Sequence, residues 1–97
     1  SGGIGTTYNM IPRHFAKICE LCAKNDFKTA AEWQLEVNRL VDLVVGAFPD
    51  NWSEFKVLMK AVGIDCGFCR APYAPVPRSR EHALLAALDR ILGGFKP

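Results

Sequence analysis

Two Cys-x-x-Cys pairs are the residues whose type and spacing most readily suggest chemistry: Cys19-Glu20-Leu21-Cys22 and Cys66-Gly67-Phe68-Cys69. Paired motifs of this kind commonly supply four thiolates to a tetrahedral zinc ion. Two features oppose that here. More than 40 residues separate the pairs, well beyond the roughly 15–20 of ribbons and fingers. The first pair also lies inside a helical pattern, where positions i and i+3 share a face. The expectation is therefore four free thiols, buried or half-buried, with Cys19 and Cys22 as small core residues and no metal. Reduced cysteines suit a cytosolic chain.

A second candidate is the start, Gly2-Gly3-Ile4-Gly5-Thr6-Thr7-Tyr8-Asn9. It is not a dinucleotide fingerprint, which needs a third glycine between a strand and a helix. It is not a phosphate loop either, because no Gly-Lys-Ser/Thr step follows. The glycines serve some other geometry. The remaining reactive side chains are scattered. Lys17, Lys24, Lys28, Lys56, Lys60 and Lys96 fall on predicted helices or at the terminus. His14 and His82 read as surface or capping histidines, and Trp33 and Trp52 as packing or subunit-contact residues.

The elements that position these groups follow from periodicity. Residues up to about Tyr8 suit a short strand, with Ile4 as its apolar member and Thr6 and Thr7 as β-branched ones. A helix follows, with Pro12 in its first turn and Ile11, Phe15, Ile18, Cys19 and Cys22 at helical spacing. Asn25 ends it and Asp26 caps the next helix. That second helix spans about Phe27 to Ala47, with a stripe of Phe27, Ala30, Ala31, Gln34, Val37, Val41, Val44 and Phe48, and Pro49 stops it. A third runs from about Asn51 to Val62, capped by Asn51 or Ser53, with Trp52, Phe55, Leu58, Met59 and Val62 inward and Gly63 closing it. Ile64 to Arg78 is an extended stretch rich in proline, expected to pack Phe68, Tyr73 and Val76 on a neighbouring surface. The last helix starts at Ser79 as N-cap and ends at Gly93-Gly94, with Ala83, Leu84, Ala87, Leu88, Ile91 and Leu92 inward.

The totals set limits. The chain has 97 residues and a net charge of +2, enough for one small domain and too little charge to argue for nucleic acid. The longest apolar stretch, around Leu40 to Phe48, is broken by Asp42, so no segment reaches membrane-spanning length. No signal segment opens the sequence. A cytoplasmic protein that binds neither nucleic acid nor membrane is expected. A lone strand cannot satisfy its own backbone groups, so the start is either a loop or part of a sheet made by other residues.

The segment Gly2-Gly3-Ile4-Gly5-Thr6-Thr7-Tyr8-Asn9 resembles the eighth barrel strand of the N-acetylneuraminate lyase and dihydrodipicolinate synthase superfamily. The lyase branch reads close to Gly-Gly-Ile-Gly-Ser-Thr-Tyr-Asn there. The order of the rest agrees. Residues 24–45 resemble the family helix that begins Asn-Asp-Phe-x-x-Ala. Residues 55–76 resemble the next helix and the Arg-x-Pro crossover, here Arg70-Ala71-Pro72. Residues 79–88 resemble the last helix. The resemblance implies an α/β fold: the last strand and helix of a (β/α)8 TIM barrel (residues 1–24), then a C-terminal helical extension (residues 25–97). The chain itself would be mostly α.

The resemblance also implies chemistry. Family members form an imine between pyruvate and a lysine of the sixth strand, and a fourth-strand tyrosine relays protons. The protonated imine is an electron sink for the carbanion left when a carbon–carbon bond breaks. No catalytic residue is expected among these 97, and no cofactor. Three substrate-binding residues carry over. Gly5 matches a glycine whose backbone borders the pocket. Thr6 stands where the lyases place a serine whose hydroxyl meets the substrate's polar chain; it keeps the hydroxyl and adds a methyl group. Ile4 matches an apolar residue beside bound pyruvate, or is barrel core. Tyr8 and Asn9 seat the strand-to-helix turn. The implied substrates are pyruvate and an aldehyde or sugar, and the implied assembly is a homo-tetramer. Three alternatives stay open: condensation of the dihydrodipicolinate synthase type, a non-catalytic helical interaction module, and a zinc-binding helical domain.

Overall fold

The computed structural model describes residues 2–47 and 52–93. It is helical: a 3-10 turn at Thr6–Asn9, then α1 (Pro12–Ala23), α2 (Phe27–Ala47), α3 (Trp52–Ala61) and α4 (Arg78–Gly93). Among the described residues there is no strand, and part of the segment expected to be one, Thr6–Asn9, forms the 3-10 turn. Gly5 does keep an extended conformation, with φ −69° and ψ 137°. The next residues close a turn. Tyr8 N–H donates to the Gly5 carbonyl at 3.1 Å, and Met10 N–H to the Thr7 carbonyl at 3.0 Å.

Pro12 occupies the first helical position of α1, where its missing N–H has no partner to lose. The buried side of α1 runs through Ile11 and Leu21, with Phe15 and Ile18 partly buried. Cys19 and Cys22 are both exposed, contrary to the expectation that they are core. Each residue advances 100° around the axis, so positions 19 and 22 fall one step past the half-buried 18 and the buried 21. Cys66 is exposed too and Cys69 half-buried; all four thiols are free.

The α1–α2 corner is as expected. Asn25 takes the left-handed conformation at φ 60°. Its N–H donates to the Cys22 carbonyl at 3.0 Å, and Asp26 N–H donates to the Leu21 carbonyl at 2.9 Å. This is the Schellman pattern, which satisfies carbonyls left over at a helix end. Asp26 Oδ1 then accepts from Thr29 N–H at 3.2 Å and caps α2.

The core is one cluster of Met10, Ile11, Val37, Leu40, Val44, Leu58, Met59, Leu84 and Leu88. The four helices meet there: α1 packs on α2, α2 on α3 and α4, and α3 on α4. Leu40, Leu58 and Leu84 are buried almost completely, and truncating such a leucine to alanine costs about 2–5 kcal/mol. The α2 stripe is rotated from the expected one. Ala30, Val37, Leu40 and Val44 are buried, whereas Phe27, Ala31 and Gln34 are exposed. Leu40, absent from the expected stripe, is fully buried, and α2 also carries exposed apolar residues, Leu35 and Val45, so its pattern does not single out one side. In α4, Leu84 and Leu88 are buried and Ala87, Ile91 and Leu92 half-buried, while Ala83 faces out. Phe48, Pro49, Asn51, Gly94 and Lys96, singled out from sequence, lie outside the described residues.

Gly63 closes α3 as expected, at φ +99°. Gly63 N–H donates to the Lys60 carbonyl at 3.0 Å and Ile64 N–H to the Met59 carbonyl at 3.0 Å, a second Schellman pattern. Ser53 is buried within the first turn of α3. The start of α4 lies earlier than Ser79: Arg78 is already helical, and the Pro77 carbonyl accepts from Glu81 N–H at 2.9 Å.

Candidate functional site

The Gly2–Asn9 segment is built around one aromatic ring. Tyr8 lies back across the glycines that precede it. A Cβ placed on Gly3 would lie 2.7 Å from Tyr8 Oη, and one on Gly5 would lie 2.7 Å from Tyr8 Cε1. Both distances are shorter than side chains tolerate, so glycine at these two positions is what admits the ring. The other side of the ring meets Phe15 of α1, with centroids 4.2 Å apart and planes tilted by 53°. The turn is finished by Asn9, whose Nδ2 donates to the Thr6 carbonyl at 3.1 Å. Tyr8 and Asn9 therefore seat the turn into α1. Of the three residues expected to meet substrate, Ile4 is fully exposed, Thr6 exposed and Gly5 half-buried. They are neighbours on one short stretch with Ile4 projecting outward. Thr7, whose side chain had no assigned role, is the buried member at 9% exposure.

A concave region lies between α3 and the segment 64–76. It is a cleft of about 330 Å³ bordered by Ser53, Lys56, Lys60, Asp65, Phe68 and Glu81 among others. Lys56 holds its wall: Nζ donates to the Cys66 carbonyl at 3.2 Å and to the Phe68 carbonyl at 3.0 Å. Asp65 Oδ1 accepts from Gly67 N–H at 2.9 Å, and Lys60 stands 3.6 Å from its carboxylate. The Gly67 hydrogen bond and then the Lys60 charge hold the Asp65 carboxyl below the usual carboxylate range. The expectation that Phe68 and Tyr73 pack on a neighbouring surface does not hold within this chain: Phe68 is 90% exposed and Tyr73 exposed, and only Val76 joins the core. What holds the start of this segment to α3 is Lys56, through the Cys66 and Phe68 carbonyls, rather than the Phe68 ring.

The histidines divide. His82 is exposed on α4, as expected. His14 is half-buried on α1 and meets Trp33 of α2 with ring centroids 5.5 Å apart, so it is a packing residue rather than a surface one. Burial pushes its pKa down. Lys17, Lys28, Lys56 and Lys60 lie on helices and Lys24 caps one; none stands on an extended segment beside Ile4. Among the described residues, no group of three or more His, Cys, Asp or Glu side chains is arranged to hold a metal ion. No helix among them is long and apolar enough to cross a membrane.

The sequence matches the profile of the Dihydrodipicolinate synthetase family over residues 1–91. The chain belongs to this family. Individual relatives agree with it. The chain is 30% identical over 91 residues to N-acetylneuraminate lyase 2 of Escherichia coli O6:H1, covering 93% of this chain and 29% of that protein. It is 31% identical over 93 residues to N-acetylneuraminate lyase of Escherichia coli K12, covering 94% and 30%. The corresponding protein of Salmonella paratyphi A is 30% identical over 93 residues, again covering 94% and 30%. This dihydrodipicolinate synthetase family chain thus spans under a third of the length of the relatives it matches. No solved structure gives a significant match. Ile4, Gly5 and Thr6 fall inside the matched region, and so do all four helices up to Ile91.

Proposed function

We propose that the chain is the C-terminal portion of a Schiff-base pyruvate lyase with a (β/α)8 barrel, cleaving N-acetylneuraminate or a related 2-keto acid to pyruvate and an aldehyde. The observation that carries this reading is the continuous similarity to N-acetylneuraminate lyases over 93–94% of the chain. The Ile4-Gly5-Thr6 stretch supports it: Ile4 and Thr6 are exposed on either side of a half-buried Gly5 in extended conformation, and Thr6 brings the hydroxyl that a pocket rim needs. On this reading the Gly5 main chain borders the pocket, Thr6 donates or accepts at the substrate's hydroxyl chain, and Ile4 packs beside the pyruvate carbons. The imine-forming lysine is supplied from outside these 97 residues, since the described lysines stand on helices or cap them. The whole protein is cytoplasmic and tetrameric.

Borohydride reduction of the full-length protein in the presence of pyruvate tests the chemistry. A covalent pyruvate adduct on one lysine is expected, and its absence overturns the aldolase class. Pyruvate release on adding N-acetylneuraminate tests the substrate. An adduct without such release points instead to condensation of the dihydrodipicolinate synthase type.

A further inference from the structure

We infer that Tyr8 is a positioning residue, holding the Gly3–Gly5 main chain in the conformation that presents Ile4 and Thr6. Its role for substrate rests on the lyase reading above. Two contacts of the ring and one of its residue's main chain fix Tyr8 against the segment. It covers Gly3 and Gly5 so closely that a Cβ at either would meet it at 2.7 Å. Its own N–H closes the turn on the Gly5 carbonyl at 3.1 Å. Its outer face leans on Phe15 at 4.2 Å, which ties the segment to α1 and so to the core. Ile4, between the two covered glycines, has no such support and points away with its side chain fully exposed. Glycine is the most conformationally free residue, and a Gly-x-Gly run left alone would sample many backbone states. The ring removes that freedom at both glycines while leaving the residue between them outward. At Gly5 the nearest atoms are ring carbons, and at Gly3 the ring carbon Cε2 stands at 2.9 Å, just behind the hydroxyl oxygen, so a ring without the hydroxyl keeps a contact at both glycines.

Isotope-labelled full-length protein gives a readout independent of activity. Ring-current effects should displace the Gly3 and Gly5 α-proton shifts from ordinary glycine values in the wild type and in Tyr8→Phe, and vanish in Tyr8→Leu. Unshifted glycines in the wild type overturn the inference. Kinetics then test the consequence. In Tyr8→Leu, KM for the 2-keto acid should rise about tenfold with kcat within about threefold, as lost ground-state positioning predicts. Tyr8→Phe should restore KM. An unchanged KM in Tyr8→Leu, in a protein whose wild type traps pyruvate, overturns the positioning role. A wild type that shows the shifts but traps no pyruvate removes the lyase reading and leaves the ring's hold on the glycines intact.

Discussion

Arg80 of α4 grips Glu54 of α3 with both arms of its guanidinium. Nε donates to Oε1 at 2.7 Å and Nη2 donates to Oε2 at 3.2 Å. The carboxylate side is nearly enclosed, at 9% side-chain exposure, while the arginine side remains 46% exposed. The fork geometry makes the pair directional, and it spans 26 residues of sequence, so it fixes how α4 lies on α3.

Removing the arginine strands a buried acid. Arg80→Ala should destabilise the fold by about 1–3 kcal/mol, the range for leaving a buried polar group without its partner, with the exposed arginine side keeping it below the fully buried limit. Arg80→Lys should recover only part of this, because an ammonium cannot reproduce two parallel N–H bonds. Urea unfolding of the two variants beside the wild type measures both. Equal midpoints for all three would mean the pair contributes nothing.

The two left-handed helix ends should respond differently to the same kind of change. Gly63 sits at φ +99°, outside the region any L-residue favours, while Asn25 sits at φ 60°, where asparagine is tolerated. Gly63→Ala should therefore cost about 1–2 kcal/mol, although nothing lies within 4 Å of where its Cβ would be. Asn25→Gly should change stability by only a few tenths of a kcal/mol, roughly. Thermal unfolding of the pair decides it, and a neutral Gly63→Ala would show that the end of α3 can rearrange.

These two corners were legible in the sequence because everything that makes them lies within six residues: Asn25 with Asp26, and Gly63 after Lys60. The family was legible from Gly2–Asn9 and from the order of the later segments. Features that depend on distant residues were not. Leu40 is at the centre of the core, yet α2 carries apolar residues on more than one side and its period alone does not say which side α3 and α4 cover. Glu54 is buried with its partner Arg80 on another helix, 26 residues away. Cys19 and Cys22 share a face, as i and i+3 must, but the face is the wrong one by a single position. Of the candidate site, residue types and neighbourhood were readable; the Tyr8 ring over Gly3 and Gly5 was not, because it needs Phe15 behind it.

The remaining prediction concerns acid. His14 is half-buried against Trp33, and desolvation lowers its pKa from the ordinary 6.5. Folding therefore favours the neutral imidazole. Its contribution to stability is present above pH 6.5 and is lost as pH falls through the lower folded value. Glu20 and Asp65 have their carboxyls lowered as well, Glu20 first by Lys24 and then Lys17, so their contributions fade only below about pH 4.5. The two windows are separate, which makes the histidine testable alone. Between about pH 7.5 and about pH 5 the wild type should lose stability in urea titrations, and His14→Gln should lose less over the same interval. An identical decline in both proteins would assign the acid sensitivity to other groups. Direct titration of the His14 ring protons in the folded chain should give a midpoint below 6.5, and a midpoint above that value would reverse the sign of the argument.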